Sequence, residues 1–360
     1  MSATSVKPTY NISSNTTSRN TVVIASVALA LVTASSLAVL LVCFATRRHQ
    51  QQPWRLCLRT HIRCRKDARQ EVEKLDIPKE LRIARNHIRM HRTIGEGYFG
   101  LVMEGEIYDK QTSWTRVAVK ISKSHVEGSI SLANEAVIMA KIGIHENVVR
   151  LLGVCQHKDS ILLIMEYTEH GNLRSHLLLQ RNTNTGECTH SCPTQKAFLY
   201  ALQVAKGMTY ITSQKCIHGD LSARNVLVHA GNVLKVSDFG LAKDIHYYEF
   251  YKRKTPGIVP FKWTAPETLI DKIYTEASDV WSFGVLLWEI ATLGGLPYPG
   301  VPIEELYELL TKRNYRMKQP PNCSKKLYSL MVNCWNELPK NRPRFSDLIG
   351  LIEQAMPELE

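Results

Sequence analysis

Hydrophobic and polar positions change their rhythm several times along this 360-residue chain. Residues 22–45, VVIASVALALVTASSLAVLLVCFA, contain no charge, and as a helix they would extend roughly 36 Å, enough to cross a bilayer. Further on, IRMHRTIGEGYFGLVMEGEIY predicts a strand, a glycine turn and a second strand, and TRVAVKI predicts a third with β-branched alternation. SISLANEAVIMAKIGI then places Leu132, Ala136, Met139 and Ala140 on one helical face. NVVRLLGV and ILLIMEYTEHGNL predict two more strands, after which helical spacing dominates, broken by a polar loop over residues 181–194. EASDVWSFGVLLWEIATL invites a second membrane span. Asp279 and Glu289 interrupt it and Pro297 and Pro299 follow, so it predicts a buried helix of a large domain. The pattern is α+β: a small five-stranded β lobe with one helix, a larger helical lobe, and a single transmembrane helix ahead of both.

Charge orients the span. Only Lys7 and Arg19 precede it, whereas Arg47, Arg48, Arg55, Arg59, Arg63, Arg65, Lys66 and Arg69 follow, which predicts the N-terminus outside and the bulk of the chain inside. A cleaved signal peptide is the alternative, but it calls for a shorter apolar region with basic residues in front. The expected organisation is a short extracellular segment (1–21), a transmembrane helix (22–45), a basic juxtamembrane linker (46–87) and a cytoplasmic domain (88–356), with the plasma membrane as location. Twenty-one residues cannot build a ligand-binding domain. Asn11 and Asn15 begin glycosylation sequons whose use stays open.

Residues 47–92 hold 14 Lys plus Arg against 5 Asp plus Glu, so this stretch carries +9 of the formal +12. Such a run beside a bilayer is expected to attract anionic inner-leaflet lipids, at about 1 kcal/mol per basic residue. Without aromatic interleaving it does not predict nucleic acid as a partner. The nine cysteines are odd in number and scattered, which fits free thiols in a reducing cytosol. Cys188, His190 and Cys192 lack zinc-site spacing, and acylation of Cys43, Cys57 and Cys64 beside the membrane stays open.

Chemistry enters with Gly95-Glu96-Gly97-Tyr98-Phe99-Gly100-Leu101-Val102, a glycine-rich turn in which missing side chains let backbone N–H groups approach phosphates. Strand-like sequence on both sides separates it from dinucleotide-binding turns, which join a strand to a helix. Lys120 follows 20 residues after Gly100 at the end of an apolar strand, where a desolvated cation needs a partner, and Glu135 on the next helix supplies one. His218-Gly219-Asp220 leads to Asn225, and Asp238-Phe239-Gly240 begins 13 residues later. A carboxylate to accept a hydroxyl proton, with an amide and a second carboxylate as oxygen ligands for magnesium, is what phosphoryl transfer requires. Ala265-Pro266-Glu267 comes 27 residues after Asp238, with Arg342 as the expected buried partner of Glu267.

Six elements in this order identify a resemblance: residues from about 88 to 356 resemble the eukaryotic protein kinases, and the segment Asp220 to Asn225 with Pro260-Phe261-Lys262-Trp263 resembles the tyrosine kinases among them. IGIHENVVRLLGVC, SDVWSFGVLLWEI and LGGLPYPGVPIEELYELL are most similar to fibroblast growth factor receptor kinases, without their ectodomain. The resemblance implies the two-lobed protein kinase fold, ATP and Mg2+ as cofactors, and tyrosine hydroxyls of proteins as acceptors. It implies Asp220, Arg224, Lys120 and Glu135 in catalysis and Asn225 and Asp238 on the metal. Ile94, Gly95, Glu96, Gly97, Gly100, Val102, Ala118, Lys120, Glu166, Thr168 and Leu227 would contact ATP, with Met165 guarding the back of the pocket. Met139, Val149, His218 and Phe239 would form an internal apolar column anchored by Asp279. A pseudokinase scaffold and a serine/threonine or dual-specificity kinase are the alternatives.

Gly219 replaces an arginine that in many kinases pairs with a phosphorylated loop residue. Tyr251, Tyr248 and Tyr247 are the candidate autophosphorylation sites, in that order, and Phe250 stands where such receptors often have a tyrosine. Lys243 is a weaker receiver of phosphate than the arginine usual there, because an ammonium lacks the planar bidentate grip. The expectation is weakened phosphate-dependent ordering. Phosphotyrosine-binding adaptors and a homodimer partner are further expectations.

Overall fold

The computed structural model describes residues 77–96, 100–109, 113–122, 127–157, 160–182, 192–245, 250–252 and 259–356, all within one compact unit that runs from Asp67 to Glu360. The expected span at 22–45 and the linker up to residue 76 lie outside the described residues. Among the described residues no helix is long and apolar enough to cross a membrane.

Five strands form one antiparallel sheet in the order β1-β2-β3-β5-β4: β1 (Ile88–Glu96), β2 (Leu101–Asp109), β3 (Ser113–Ile121), β4 (Leu151–His157) and β5 (Ser160–Glu166). Alternation buries Val117 and Val119 of β3 with Ile88, Cys155, Leu162 and Ile164 in a small core of their own. The expected helix is α1 (Glu127–Ile142), whose Leu132, Ala133, Ala136 and Met139 join the main core. Two expected strands differ in extent. Asn147–Val149 read as apolar strand, but the Val149 N–H donates to Val236 O at 2.9 Å and the Asn147 amide to Leu234 O at 3.0 Å, so this stretch ties down onto the large lobe and β4 begins only at Leu151. Likewise β5 stops at Glu166, and Asn172 caps the next helix by accepting from Ser175 N at 2.9 Å.

Residues 77–87, on the linker side of the expected boundary, pack on the small lobe. Ile77 is buried and Ile83 N donates to Val154 O at 2.9 Å. Gly153 allows that approach, since a Cβ there would lie 2.3 Å from Ile83 Cδ1.

The large lobe contains α2 (Leu173–Asn182), α3 (Thr194–Ser213), α4 (Pro266–Asp271), α5 (Glu276–Ala291), α6 (Ile303–Thr311), α7 (Lys325–Cys334) and α8 (Phe345–Ala355). Two short antiparallel pairs accompany these helices, β6 (Cys216–Ile217) with β9 (Lys243–Asp244) and β7 (Val226–His229) with β8 (Val233–Val236). The apolar run read as a buried helix is α5. Thr275 and Ser278 form its capping box, and every residue from Ser278 to Ala291 is buried. Arg342 grips Glu267 with two bonds of 2.6 and 2.8 Å, as expected from the sequence.

Candidate active site

The last residues of β3 carry Lys120 into the space between the lobes, where burial demands compensation for its charge. Its Nζ donates to both oxygens of Glu135 on α1, at 2.8 and 2.9 Å, and to Asp238 Oδ1 at 2.9 Å. Burial acts to lower the Lys120 pKa, and the two carboxylates outweigh it, leaving the ammonium above the ordinary lysine range. Burial raises Glu135. It also acts to raise Asp238, but there the Lys120 charge prevails and holds the carboxyl below its usual range.

Loop 218–225 hangs from α5. Asp279, fully buried, accepts from His218 N at 2.7 Å and Gly219 N at 2.9 Å. The His218 ring accepts from Asp220 N at its Nδ1 and lies within 3.0 Å of Ser237 O at its Nε2, and burial pushes its pKa down to about 4, so it is neutral. Its ring lies 5.3 Å from that of Phe239. Met139, Val149 and Phe239 all belong to the main hydrophobic core.

Asn225 reaches back along the loop, its amide donating to Asp220 O and Oδ2, each at 2.8 Å. Arg224 pairs with the other Asp220 oxygen and stacks over the Trp263 ring at 4.3 Å. Burial raises the Asp220 pKa to about 6 against the opposing Arg224 charge. The carboxyl is therefore poised to take or release a proton close to neutrality.

Gly219 has φ +74°, in the left-handed region, and a Cβ there would lie 3.2 Å from Leu241 O. Glycine is thus the low-strain residue at this position, whatever an arginine would add in charge. Gly219→Ala is expected to cost about 1–2 kcal/mol of stability, measurable as a shift in urea midpoint with unchanged slope.

The cleft between the lobes has a volume of about 790 Å³. It is lined by Ile94, Gly95, Glu96, Gly100, Val102, Ala118, Lys120, Glu166, Thr168 and Leu227 from the expected set, together with Glu135, Asp220, Arg224, Asn225, Asp238 and Met165. Gly97 lies outside the described residues. Glu166 lines the cleft while its carboxylate engages Lys235 at 3.1 Å and Arg150 N at 2.7 Å. Sequence reasoning missed the pairing of Lys235 with Glu166 and the place of Tyr167 and Trp263 in the cleft. It also missed Glu289 of α5, whose Oε2 accepts from Ala223 N and from Trp263 Nε1, each at 2.9 Å. The only sequence signal for Glu289 was a charge inside an apolar helix.

The segment after Asp238 is held at two points. Asp244 of β9 pairs with Lys141 of α1 at 2.5 Å. Tyr251 lies in β10 (Tyr251–Lys252), which pairs with β11 (Ile273–Tyr274). The Lys243 ammonium sits 5.2 Å from the centre of the Tyr251 ring, and the Tyr274 ring is 6.3 Å away on centroids. Tyr247 and Tyr248 lie outside the described residues.

Oxygen donors suit a divalent cation: the amide bonds of Asn225 to Asp220 leave its carbonyl oxygen as the remaining donor, and the Asp238 carboxylate lines the same cleft. One carboxylate, one carbonyl and substrate oxygens form the donor set that Mg2+ prefers. The arrangement brings a carboxylate, a buried cation and further oxygen donors along one cleft, the residue types that moving a phosphoryl group requires.

Comparison with known proteins agrees. The family profile described as Protein tyrosine and serine/threonine kinase matches residues 88–352. The chain is 45% identical over 300 residues to fibroblast growth factor receptor 1 of Xenopus laevis, covering 79% of this chain and 37% of that protein. It is 46% identical over 300 residues to the receptor of the same name from Pleurodeles waltl, with the same coverage. The chain thus spans well under half the length of these curated relatives.

Proposed function

The chain belongs to the protein tyrosine and serine/threonine kinases, and we propose that it is a membrane-anchored tyrosine kinase that transfers the γ-phosphoryl group of ATP to tyrosine hydroxyls of proteins. The observation that carries this is the convergence of Lys120, Glu135 and Asp238 with Asp220, Arg224 and Asn225 in one cleft whose edge is formed by Pro260 and Trp263. The tyrosine oxygen attacks the γ-phosphorus, its proton passes to a carboxylate oxygen of Asp220, and the β–γ bridging oxygen leaves with ADP. Lys120, fixed by Glu135, holds the phosphates. Asn225 and Asp238 would hold Mg2+, which when bound offsets the charge of the triphosphate.

Since burial places the Asp220 pKa at about 6, its proton-accepting form is lost as pH falls through that value. The turnover of the full chain on a tyrosine copolymer with Mg-ATP is expected to be level above about pH 7 and to fall about tenfold per pH unit well below 6. A flat profile down to pH 5 would remove Asp220 as the base.

Residues 22–45 are the proposed anchor, with the N-terminus outside, the kinase in the cytoplasm and the basic linker on anionic lipids of the plasma membrane. Protein tyrosines are the substrates, phosphotyrosine-binding adaptors the readers, and a second copy the partner in autophosphorylation at Tyr251, Tyr248 or Tyr247. Weakened dependence on phosphorylation is supported by the unmodified Tyr251, whose ring is already in contact with Lys243 and Tyr274 and whose backbone is paired with β11. Phenylalanine preserves both ring contacts, so Tyr251→Phe is expected to lower kcat by less than about threefold, below what losing the exposed cation–π contact would bring. A loss of tenfold or more in steady-state assays would show ordinary phosphate-driven activation.

A further inference from the structure

Helix α5 places two fully buried carboxylates under the catalytic loop, ten residues apart. Asp279 serves the beginning of the loop, at His218 and Gly219. Glu289 serves its end and something else besides: one oxygen, Oε2, takes the Ala223 backbone N–H and the indole N–H of Trp263 together. A carboxylate oxygen has lone pairs for both. Trp263 is held a second time by α5, since Ser282 Oγ donates to Trp263 O at 2.7 Å. The face of the same indole carries the Arg224 guanidinium, which pairs with Asp220. A continuous chain of contacts thus runs from Glu289 through Trp263 and Arg224 to the proton acceptor.

We infer that Glu289 is a positioning residue that fixes the Pro260–Trp263 platform relative to the catalytic loop, and so sets how well a tyrosine side chain is seated for transfer without touching the nucleotide. This rests on the tyrosine kinase reading above. The chemistry requires an acceptor oxygen at this place and no charge. Burial already pushes the Glu289 carboxyl up to about 7, and its second oxygen, Oε1, has no hydrogen-bond partner among the described residues. An amide oxygen therefore meets the same need, whereas an apolar side chain of similar size leaves two buried N–H donors unpaired.

The test uses the full chain, Mg-ATP and a random Glu–Tyr copolymer. Losing a buried acceptor predicts that Glu289→Leu raises the copolymer KM about tenfold while the ATP KM stays within about twofold. Glu289→Gln is expected to restore both constants. Trp263→Phe keeps an aromatic ring for Arg224 and loses the N–H together with part of the indole's area, so the copolymer KM should rise about threefold, and the Glu289→Leu/Trp263→Phe double variant should fall clearly short of the product of the two single effects. Equal rises in both KM values, failure of Glu289→Gln to restore, or additive effects in the double variant would overturn the inference. If Glu289→Leu does not fold, an unchanged copolymer KM in Trp263→Phe overturns it. No transfer by the unsubstituted chain would instead overturn the kinase reading, and this inference with it.

Discussion

Replacing Asp220 by asparagine is expected to lower kcat about 10³-fold, the scale of a lost general base, while nucleotide affinity stays within about twofold. Asparagine is nearly isosteric, and its amide oxygen still accepts from Arg224 or Asn225, so the loop geometry survives. Only the capacity to take the tyrosine proton is lost. Asp220 is buried, and among the described residues the two neighbouring aspartates are already committed, Asp238 to Lys120 and Asp279 to two backbone N–H groups. Steady-state kinetics together with fluorescent-nucleotide binding separate the two quantities. A parallel loss of nucleotide affinity would mean that Asp220 organises the whole cleft and is more than the proton acceptor.

Replacing Lys120 by methionine is expected to abolish transfer and to destabilise the fold. The thioether fills the stem's space but leaves Glu135 and Asp238 facing one another without the cation they share. Breaking such a buried pair by removing one partner costs about 3–5 kcal/mol, which for a domain of this size lowers Tm by about 10 °C. The sign of the pH dependence follows from the same geometry. Without Lys120 the two carboxylates are raised in the folded state, so the variant should recover stability as pH falls and one of them takes up a proton. Glu135→Gln should be milder, because Asp238 still holds the ammonium. Scanning fluorimetry from pH 5 to 8 reads both effects, and a Lys120→Met Tm within about 2 °C of wild type would contradict the ion-pair account.

The groups that the sequence made visible are those whose chemistry lies on one element or recurs at fixed spacing. Asp220, Arg224 and Asn225 occupy a single turn, so their mutual contacts follow from their separation. Lys120 announced itself as a cation ending an apolar strand, and Glu135 as the partner for it on the next helix. Contacts that depend on tertiary approach were not legible. Glu289 meets Ala223 and Trp263 across 66 and 26 residues of chain, and Lys235 meets Glu146 O across 89.

Backbone conformation was equally hidden. In sequence Gly219 stands out as a missing arginine, whereas its φ of +74° makes it the residue best suited to the turn between two Asp279 hydrogen bonds. Apolar patterning also misplaced the start of β4, because Asn147–Val149 has strand composition but bonds to β8. Ile77 and Ile83 sit singly among charges, too sparse a pattern to reveal that residues 77–87 pack on the small lobe.

The most direct measurement places the full chain with Mg-ATP and an equimolar mixture of tyrosine and serine peptides, beside Asp220→Asn under the same conditions. Phosphate should accumulate on tyrosine with the wild-type chain, with little on serine and none above background with the variant. Transfer no greater than that of Asp220→Asn, or transfer mainly to serine, would contradict the assignment of this chain as a tyrosine kinase.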